Sequence, residues 1–448
     1  MKKIKLVLLV LCISFGISSD LMDSNLIKKS DVENLIVVTN SISSSVEDNG
    51  FTRLDISQGS TVEVGFPELP TFTTFYQLDI DKEYEIELVV NDSYIIENIS
   101  VYPYQGADDN APFTVNEEYY NSTDVYPNQN ITYSDRMHSR GIDIISIEAI
   151  PFNYYPDTNI LEVFTDFEIS IIESGINHDA NTSRKRSKVF DSLLGGFVPN
   201  LEPSSREEDY QVPSILYICG GNAESNSYFE DLVEWRHQQG YVVNTASLSE
   251  TGSSANSIKN YIQNAYDNWE NPPEYVSLVG DVGGSYSLPT FYEGFGHNSY
   301  GNDCEGDLPY SQLDGDDYLP EVIVGRISVR SSNEIGVVVA KTLAYEKATY
   351  IEQTGTQWYE SAALIGDPSS SGNSTVHTNQ YIGNILENFG FENVESAYNG
   401  NFDNWMEDQL DDGLLYINYR GYLGVSGFDG NDINGANNGY MNPFSTML

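Results

Sequence analysis

The sequence is poor in cysteine, histidine and positive charge. Its 448 residues include 3 cysteines and 5 histidines. Cys12 lies in an N-terminal apolar segment, which leaves Cys219 and Cys304. Two cysteines can close one bridge, but they cannot build a disulfide scaffold. His138, His178, His237, His297 and His377 are scattered, and no Cys/His spacing suits zinc. Lys and Arg number 21 against 67 Asp and Glu, a formal net charge of −46. So acidic a chain is repelled by nucleic-acid phosphates and by anionic membranes, which argues against nucleic acid as a partner. It suits a salty or extracellular medium. Gly220-Gly221 and Gly283-Gly284 follow strand-like runs, but neither belongs to a six-residue glycine pattern, so phosphate loops and dinucleotide fingerprints are missing. A Gly-x-Ser-x-Gly nucleophile elbow is missing too.

Only one long apolar run is present, Ile4 to Ile17, behind Met1-Lys2-Lys3 and next to the small residues Gly16, Ser18 and Ser19. It is shorter than the roughly 20 residues of a membrane span and stands at the N-terminus, as a secretory signal does. Residues 1–20 are therefore expected to be a signal peptide. The protein should be secreted or sit at the cell surface, with no membrane span after signal removal.

Hydrophobic residues make up 40% of the chain, enough for packed cores. The texture changes near residue 180. From Leu35 to Ile172 short β-branched and aromatic runs alternate with turn residues, as in Leu35-Ile36-Val37-Val38, Ile142 to Ile147 and Leu161 to Ile169. This pattern predicts an all-β, sandwich-like domain over residues 30–175. Residues 176–212 are polar and hold Arg184-Lys185-Arg186, which predicts an exposed linker whose basic cluster is either simply solvated, the commoner case, or a processing site. From residue 213 apolar runs alternate with helical periods. Ile215 to Cys219, Tyr241 to Val243, Tyr275 to Val279, Val322 to Val324, Ala363 to Ile365 and Leu414 to Ile417 read as strands. Ile258, Tyr261, Ile262, Ala265 and Trp269 mark one helix face, and Ile382, Ile385, Leu386 and Phe389 another. The class is α/β with a mainly parallel sheet.

Chemistry in such sheets collects beyond the carboxyl ends of the strands. Those ends carry Asp281, Arg326, Asp367 and Arg420, each beside a glycine. Singly, each is a capping or loop residue; together they predict a crevice without naming a reaction. The run Asp314-Gly315-Asp316-Asp317 offers oxygen ligands of the kind Ca²⁺ takes, without the spacing of a helix-loop-helix calcium motif.

The blocks also occur in a recognisable order. Tyr275-Val276-Ser277-Leu278-Val279-Gly280-Asp281 is followed by Asp314-Gly315-Asp316-Asp317-Tyr318-Leu319-Pro320-Glu321-Val322-Ile323-Val324-Gly325-Arg326. Then come Ala363-Leu364-Ile365-Gly366-Asp367 and Tyr416-Ile417-Asn418-Tyr419-Arg420-Gly421. Residues 213–448 thus resemble the gingipain-type cysteine peptidases (family C25, clan CD), and Gly65-Phe66-Pro67-Glu68-Leu69-Pro70 resembles the signature of that family's propeptide. The resemblance implies a caspase-like α/β fold and a secreted endopeptidase made as a zymogen. Its Cys-His pair would act on protein or peptide substrates without a required cofactor, and Ca²⁺ would be at most a structural ion. The family histidine stands in a pattern like Asn-Tyr-x-Gly-His-Gly, where this chain has Tyr422. The family cysteine follows a strand resembled here by Met441 to Leu448, so the nucleophile is expected to be absent from this chain and the sequence to be truncated before it. Cys219, in a strand run, and Cys304, in an acidic loop, read as structural, and His377 is the nearest alternative imidazole. Two alternatives stand beside the peptidase: a non-catalytic gingipain-like binding or adhesion module, and an unrelated calcium-dependent surface protein.

Overall fold

The computed structural model describes residues 27–29, 35–39, 42–47, 49–56, 59–106, 111–178, 185–292, 306–315, 317–400, 402–421 and 430–447. The signal-like segment, Cys304 and Tyr422 lie outside these. Contacts divide the chain into two units. One comprises Met1–Tyr217, Ser249–Ser277 and Thr290–Gly325; the other comprises Ile218–Leu248, Leu278–Pro289 and Arg326–Leu448.

In the first unit the β-branched runs form two antiparallel sheets. The strand Ile160–Ile176 pairs with Lys82–Glu97, Leu35–Thr39 and Phe152–Tyr155. The strand Ile142–Ala149 pairs with Pro70–Leu78, Ile131–Tyr133 and Met137–Ser139. Alternation sends Phe164, Phe167, Ile169 and Ile171 of the first sheet against Phe72, Leu78, Ile145 and Ile147 of the second, in one buried cluster. The long ribbon of Lys82–Glu97 on Ile160–Ile176 carries register shifts between Phe164 and Phe167 and between Glu173 and Gly175. Such bulges add twist.

Residues 185–212 differ from the exposed linker expected there. Ser187 caps the helix Lys188–Leu194, accepting a hydrogen bond from the Phe190 N–H. Leu194, Val198 and Leu201 are buried against Ile142 and Ile144. Arg186 is held by a backbone bridge to Tyr210 and an ion pair with Asp191. A seven-residue helix spans barely two turns, too short for its period to show among polar neighbours.

The alternating pattern beyond residue 213 gives a four-stranded sheet in the order Val242–Ser247, Ser214–Cys219, Tyr275–Val279, Ile323–Ile327. The helix Ala255–Asn268 opens with a capping box between Ser254 and Ser257 and buries Ile258, Ile262, Ala265 and Tyr266. The second unit holds a wholly parallel sheet in the order Asn393–Ala397, Ser361–Gly366, Tyr416–Arg420, Phe444–Met447. Ala363, Ile365, Ile417 and Tyr419 pack on Met406 and Leu410 of the helix Asp403–Asp412. The helix Ser374–Phe389 covers the other face, where a Cβ on Gly383 would lie 3.4 Å from Leu364 Cδ1. Helices on both faces make the sheet interior dry, as its continuous apolar strands require.

Candidate functional site

The four charged residues at the strand ends fall into two clusters. In the first, Arg326 is fully engaged: its guanidinium donates to the carbonyls of Gly280, Leu288 and Pro289, each at 3.0 Å. Asp281 pairs with Arg330, Nε to Oδ2 at 2.6 Å, and also accepts from the Val282 N–H. The Arg330 guanidinium holds the Asp281 carboxyl below the usual aspartate range. Gly280, at φ 151°, is forced by space: a Cβ there would lie 2.1 Å from the Tyr286 carbonyl oxygen. These groups brace the loop after the Tyr275–Val279 strand.

The second cluster ends the parallel sheet of the second unit. Asp367 accepts from the Ser369 N–H and hydroxyl and so caps Pro368–Ser371, while its own N–H donates to the Arg420 carbonyl. A cleft beyond the carboxyl ends of two strands is lined by Asp367, Pro368, Ser369, Tyr398, Asn399 and Gly400. Beneath it lies a buried polar chain. Asn418 Nδ2 donates to Asn379 Oδ1 at 2.8 Å, and Asn379 Nδ2 donates to the carbonyls of Ile365 and Thr375. Thr446 Oγ1 donates to Asn418 Oδ1 at 2.6 Å and shares a 2.7 Å bond with the Tyr416 hydroxyl. Three strands and a helix are thus tied together one step below the strand ends. Arg420 is half-buried, and its Nε is buried without a hydrogen-bond partner.

Sequence reasoning missed a third set, at the opposite ends of the strands in the first unit. Met137–Ser139 and Ile142–Ala149 form a hairpin closed by Arg140 and Gly141, at φ 50° and 78°. Two positive φ values mark a type I′ turn, in which Asn-Gly is the comfortable pair and arginine is strained. The guanidinium accounts for the choice. Arg140 is 3% exposed and donates to the carbonyls of Pro273 (2.9 Å) and Glu321 (2.8 Å) and to Gln211 Oε1 (2.5 Å). It lies over the Phe190 and Tyr266 rings, 5.1 and 5.5 Å from their centroids. The same hairpin donates from Ser139 Oγ to the Pro320 carbonyl and from the His138 N–H to Asp317 Oδ2. Asp317 Oδ1 accepts from the Leu319 N–H, so the acidic loop spends both oxygens of this carboxylate on backbone N–H groups.

Glu321 is fully buried, with Oε2 accepting from the N–H groups of Leu313 (2.6 Å) and Asp314 (3.1 Å) and Oε1 unpaired. Burial pushes its carboxyl up to about 8, against the pull of those two N–H groups and with help from Asp317 and Asp314. Because the folded value lies above the ordinary 4.5, the unfolded chain releases this proton first as pH rises. Ionisation then favours unfolding, so the Glu321 contribution is intact below pH about 4.5 and is lost by about 8. Glu321→Gln should melt like the parent at pH 4 and above it at pH 8. Melting curves that stay parallel across that window would remove the buried carboxyl as the cause.

Cys219 is fully buried in its strand, as expected of a structural cysteine. His377 is exposed on the helix Ser374–Phe389, with Nδ1 3.3 Å from Gln380 Oε1. Among the described residues, Asp403, Glu407 and Asp432 bring carboxylate oxygens within 4.8 Å of one another, the set best placed for a cation. Burial, then the surrounding carboxylates, raise the Glu407 carboxyl above its ordinary value. Among the described residues no helix is long and apolar enough to cross a membrane.

Comparison with known proteins adds the family. The sequence profile described as Peptidase family C25 matches residues 208–448, and that of its propeptide, Propeptide_C25, matches residues 30–206. Gingipain R1 of Porphyromonas gingivalis is 23% identical over 378 residues, covering 80% of this chain and 36% of the relative. Gingipain R2 of the same organism is 23% identical over 379 residues, 80% of this chain and 49% of the relative. Lys-gingipain is 25% identical over 286 residues, 59% of this chain and 15% of the relative. The chain thus spans less than half the length of these relatives. The crystal structure of the Arg-specific cysteine proteinase gingipain R overlaps 55% of this chain and 55% of that one at 23% identity and a TM-score of 0.44.

Proposed function

Because the chain belongs to peptidase family C25, with the family propeptide ahead of it, we propose that it serves a secreted cysteine-type endopeptidase made as a zymogen. The observation that carries this is the order of its strand-end blocks, Gly280-Asp281, Gly325-Arg326, Gly366-Asp367 and Arg420-Gly421, within one continuous family match. The β-rich residues 30–175 act as the prodomain. A cysteine thiolate attacks the peptide carbonyl carbon, the C–N bond breaks, and the amine leaves with a proton delivered by a histidine. Water then hydrolyses the thioester. No cofactor enters these steps, and Ca²⁺ would have only a structural place.

Cys219, sealed in its strand, cannot be the nucleophile. The nucleophile would come from chain following the Phe444–Met447 strand. The 448-residue chain is expected to leave casein intact, while a product extended through the following codons cleaves it and is blocked by a thiol alkylator. Alkylator-resistant cleavage, or none from the extended product, would sink the proposal. Tyr422, standing where the family has its histidine, favours the second reading, a non-catalytic binding or adhesion module. Substrate capture without cleavage by the extended product would be its sign.

A further inference from the structure

The arginines at the strand ends differ in one respect. Arg326 spends its guanidinium on three carbonyls, and Arg330 is paired with Asp281. Arg420 has neither kind of partner among the described residues, and its Nε is buried and unbonded. Leaving a buried guanidinium N–H unpaired costs about 1–3 kcal/mol, so an unclaimed arginine in a chain of net charge −46 calls for a reason.

The backbone fixes where Arg420 sits. It pairs in register with Gly366, and paired residues of neighbouring strands share a face. A Cβ at Gly366 would lie 2.8 Å from the Thr375 carbonyl oxygen and 3.1 Å from Asn379 Nδ2. Asn418, two residues before Arg420 and therefore on the same face, bonds Asn379. Arg420 thus ends the sheet on the face covered by the first turns of the helix Ser374–Phe389. None of the polar groups there claims its charge. Thr375 is neutral and donates to the Gly372 carbonyl, and Asn379 is satisfied by Ile365, Thr375 and Asn418. Asp367, on the adjacent strand, turns its carboxylate to Ser369. Thr375 and Asn379 fill the space beside Gly366, so the strand end packs directly on that helix, and among the described residues none offers Arg420 a carboxylate.

We propose that Arg420 is a specificity-determining residue that receives the side-chain carboxylate of an aspartate or glutamate in a peptide substrate. The inference rests on the peptidase reading for the identity of its ligand. A planar guanidinium offers two parallel N–H donors to a carboxylate, and a partly buried site strengthens that pair. An arginine or lysine side chain would meet like charge there, and a neutral one would bring no partner for the guanidinium.

The test uses the extended gene product with matched fluorogenic peptides carrying Glu, Asp, Gln, Arg or Lys before the scissile bond. The acidic peptides should be cleaved with kcat/KM roughly 100-fold above the Gln peptide, because a site built for a polar group rejects analogues lacking it. In Arg420→Ala that ratio should fall to about 1, and Arg420→Glu should shift the preference towards Lys and Arg. Preferred cleavage of Arg or Lys peptides by the parent would overturn the proposal and leave the peptidase reading standing. If neither casein nor any peptide is cleaved, that reading fails instead, and binding decides. The 448-residue chain should then bind a blocked glutamyl peptide and lose it in Arg420→Ala, with partial recovery in Arg420→Lys. Equal binding by parent and Arg420→Ala would overturn the proposal.

Discussion

Arg140→Met should destabilise the first unit by about 3 kcal/mol, a large loss for a single turn residue. The wild-type guanidinium satisfies the carbonyls of Pro273 and Glu321 and the Oε1 of Gln211, all buried around it. Methionine keeps much of the volume and the contact with Phe190 and Tyr266, so little cavity is created. What it removes is three hydrogen bonds from a charged donor, leaving three acceptors dry. It gains nothing at the turn, since methionine is as strained at a φ of 50° as arginine. Arg140→Lys should fall between the two, because one ammonium cannot fork across three acceptors. Denaturant midpoints at constant m-value would measure this. A loss under about 1 kcal/mol would mean that the rings, and not the hydrogen bonds, hold the hairpin. Arg140 belongs to the stretch matched by the family propeptide, and all three acceptors belong to the stretch matched by the peptidase. The bond network therefore joins those two stretches inside one unit.

How much of this was legible beforehand follows from the range of each interaction. Strands such as Tyr275–Val279 and Ile142–Ala149 announce themselves because burial and alternation are local properties of consecutive residues. The strand-end residues were legible for the same reason: a charge beside a glycine directly after an apolar run marks where a buried strand stops, although Arg326 lies one residue inside Ile323–Ile327. Arg140 was not legible. Its acceptors lie between 71 and 181 residues away, and Ser139-Arg140-Gly141 by itself reads as an ordinary exposed turn. Glu321 was visible as part of a Pro-Glu pair, but its burial depends on how Leu313 and Asp314 fold back over it. Asn418 stood in the quoted strand as one more polar residue, and only the fold supplies its partner on a helix 39 residues earlier. The packed helix at 188–194 was misread because its two buried apolar residues, Phe190 and Leu194, stand one turn apart in a segment too short to show a period.

Asn418→Leu is expected to cost the second unit about 2–4 kcal/mol, although leucine shares the branched shape of asparagine and raises apolarity in a buried strand. The loss comes from what asparagine leaves behind. Asn379 Oδ1 loses its donor, and the hydroxyls of Thr446 and Tyr416 lose the acceptor at Asn418 Oδ1, keeping only each other. Asn379→Leu strips the Ile365 and Thr375 carbonyls of a donor as well, so its cost should be at least as large. The two changes share one bond, and the double variant should therefore cost less than the sum by roughly 1 kcal/mol or more. Strictly additive losses would show that the asparagines act as separate plugs instead of one chain of hydrogen bonds. The network also fixes the strand two residues before Arg420, on the same face. If it sets the height of that guanidinium over the helix, Asn418→Leu should weaken glutamyl-peptide binding even at temperatures where the variant is fully folded. Binding that survives intact in the folded variant would confine Asn418 to stability, and would leave the register of Gly366 on Arg420 as what positions the charge.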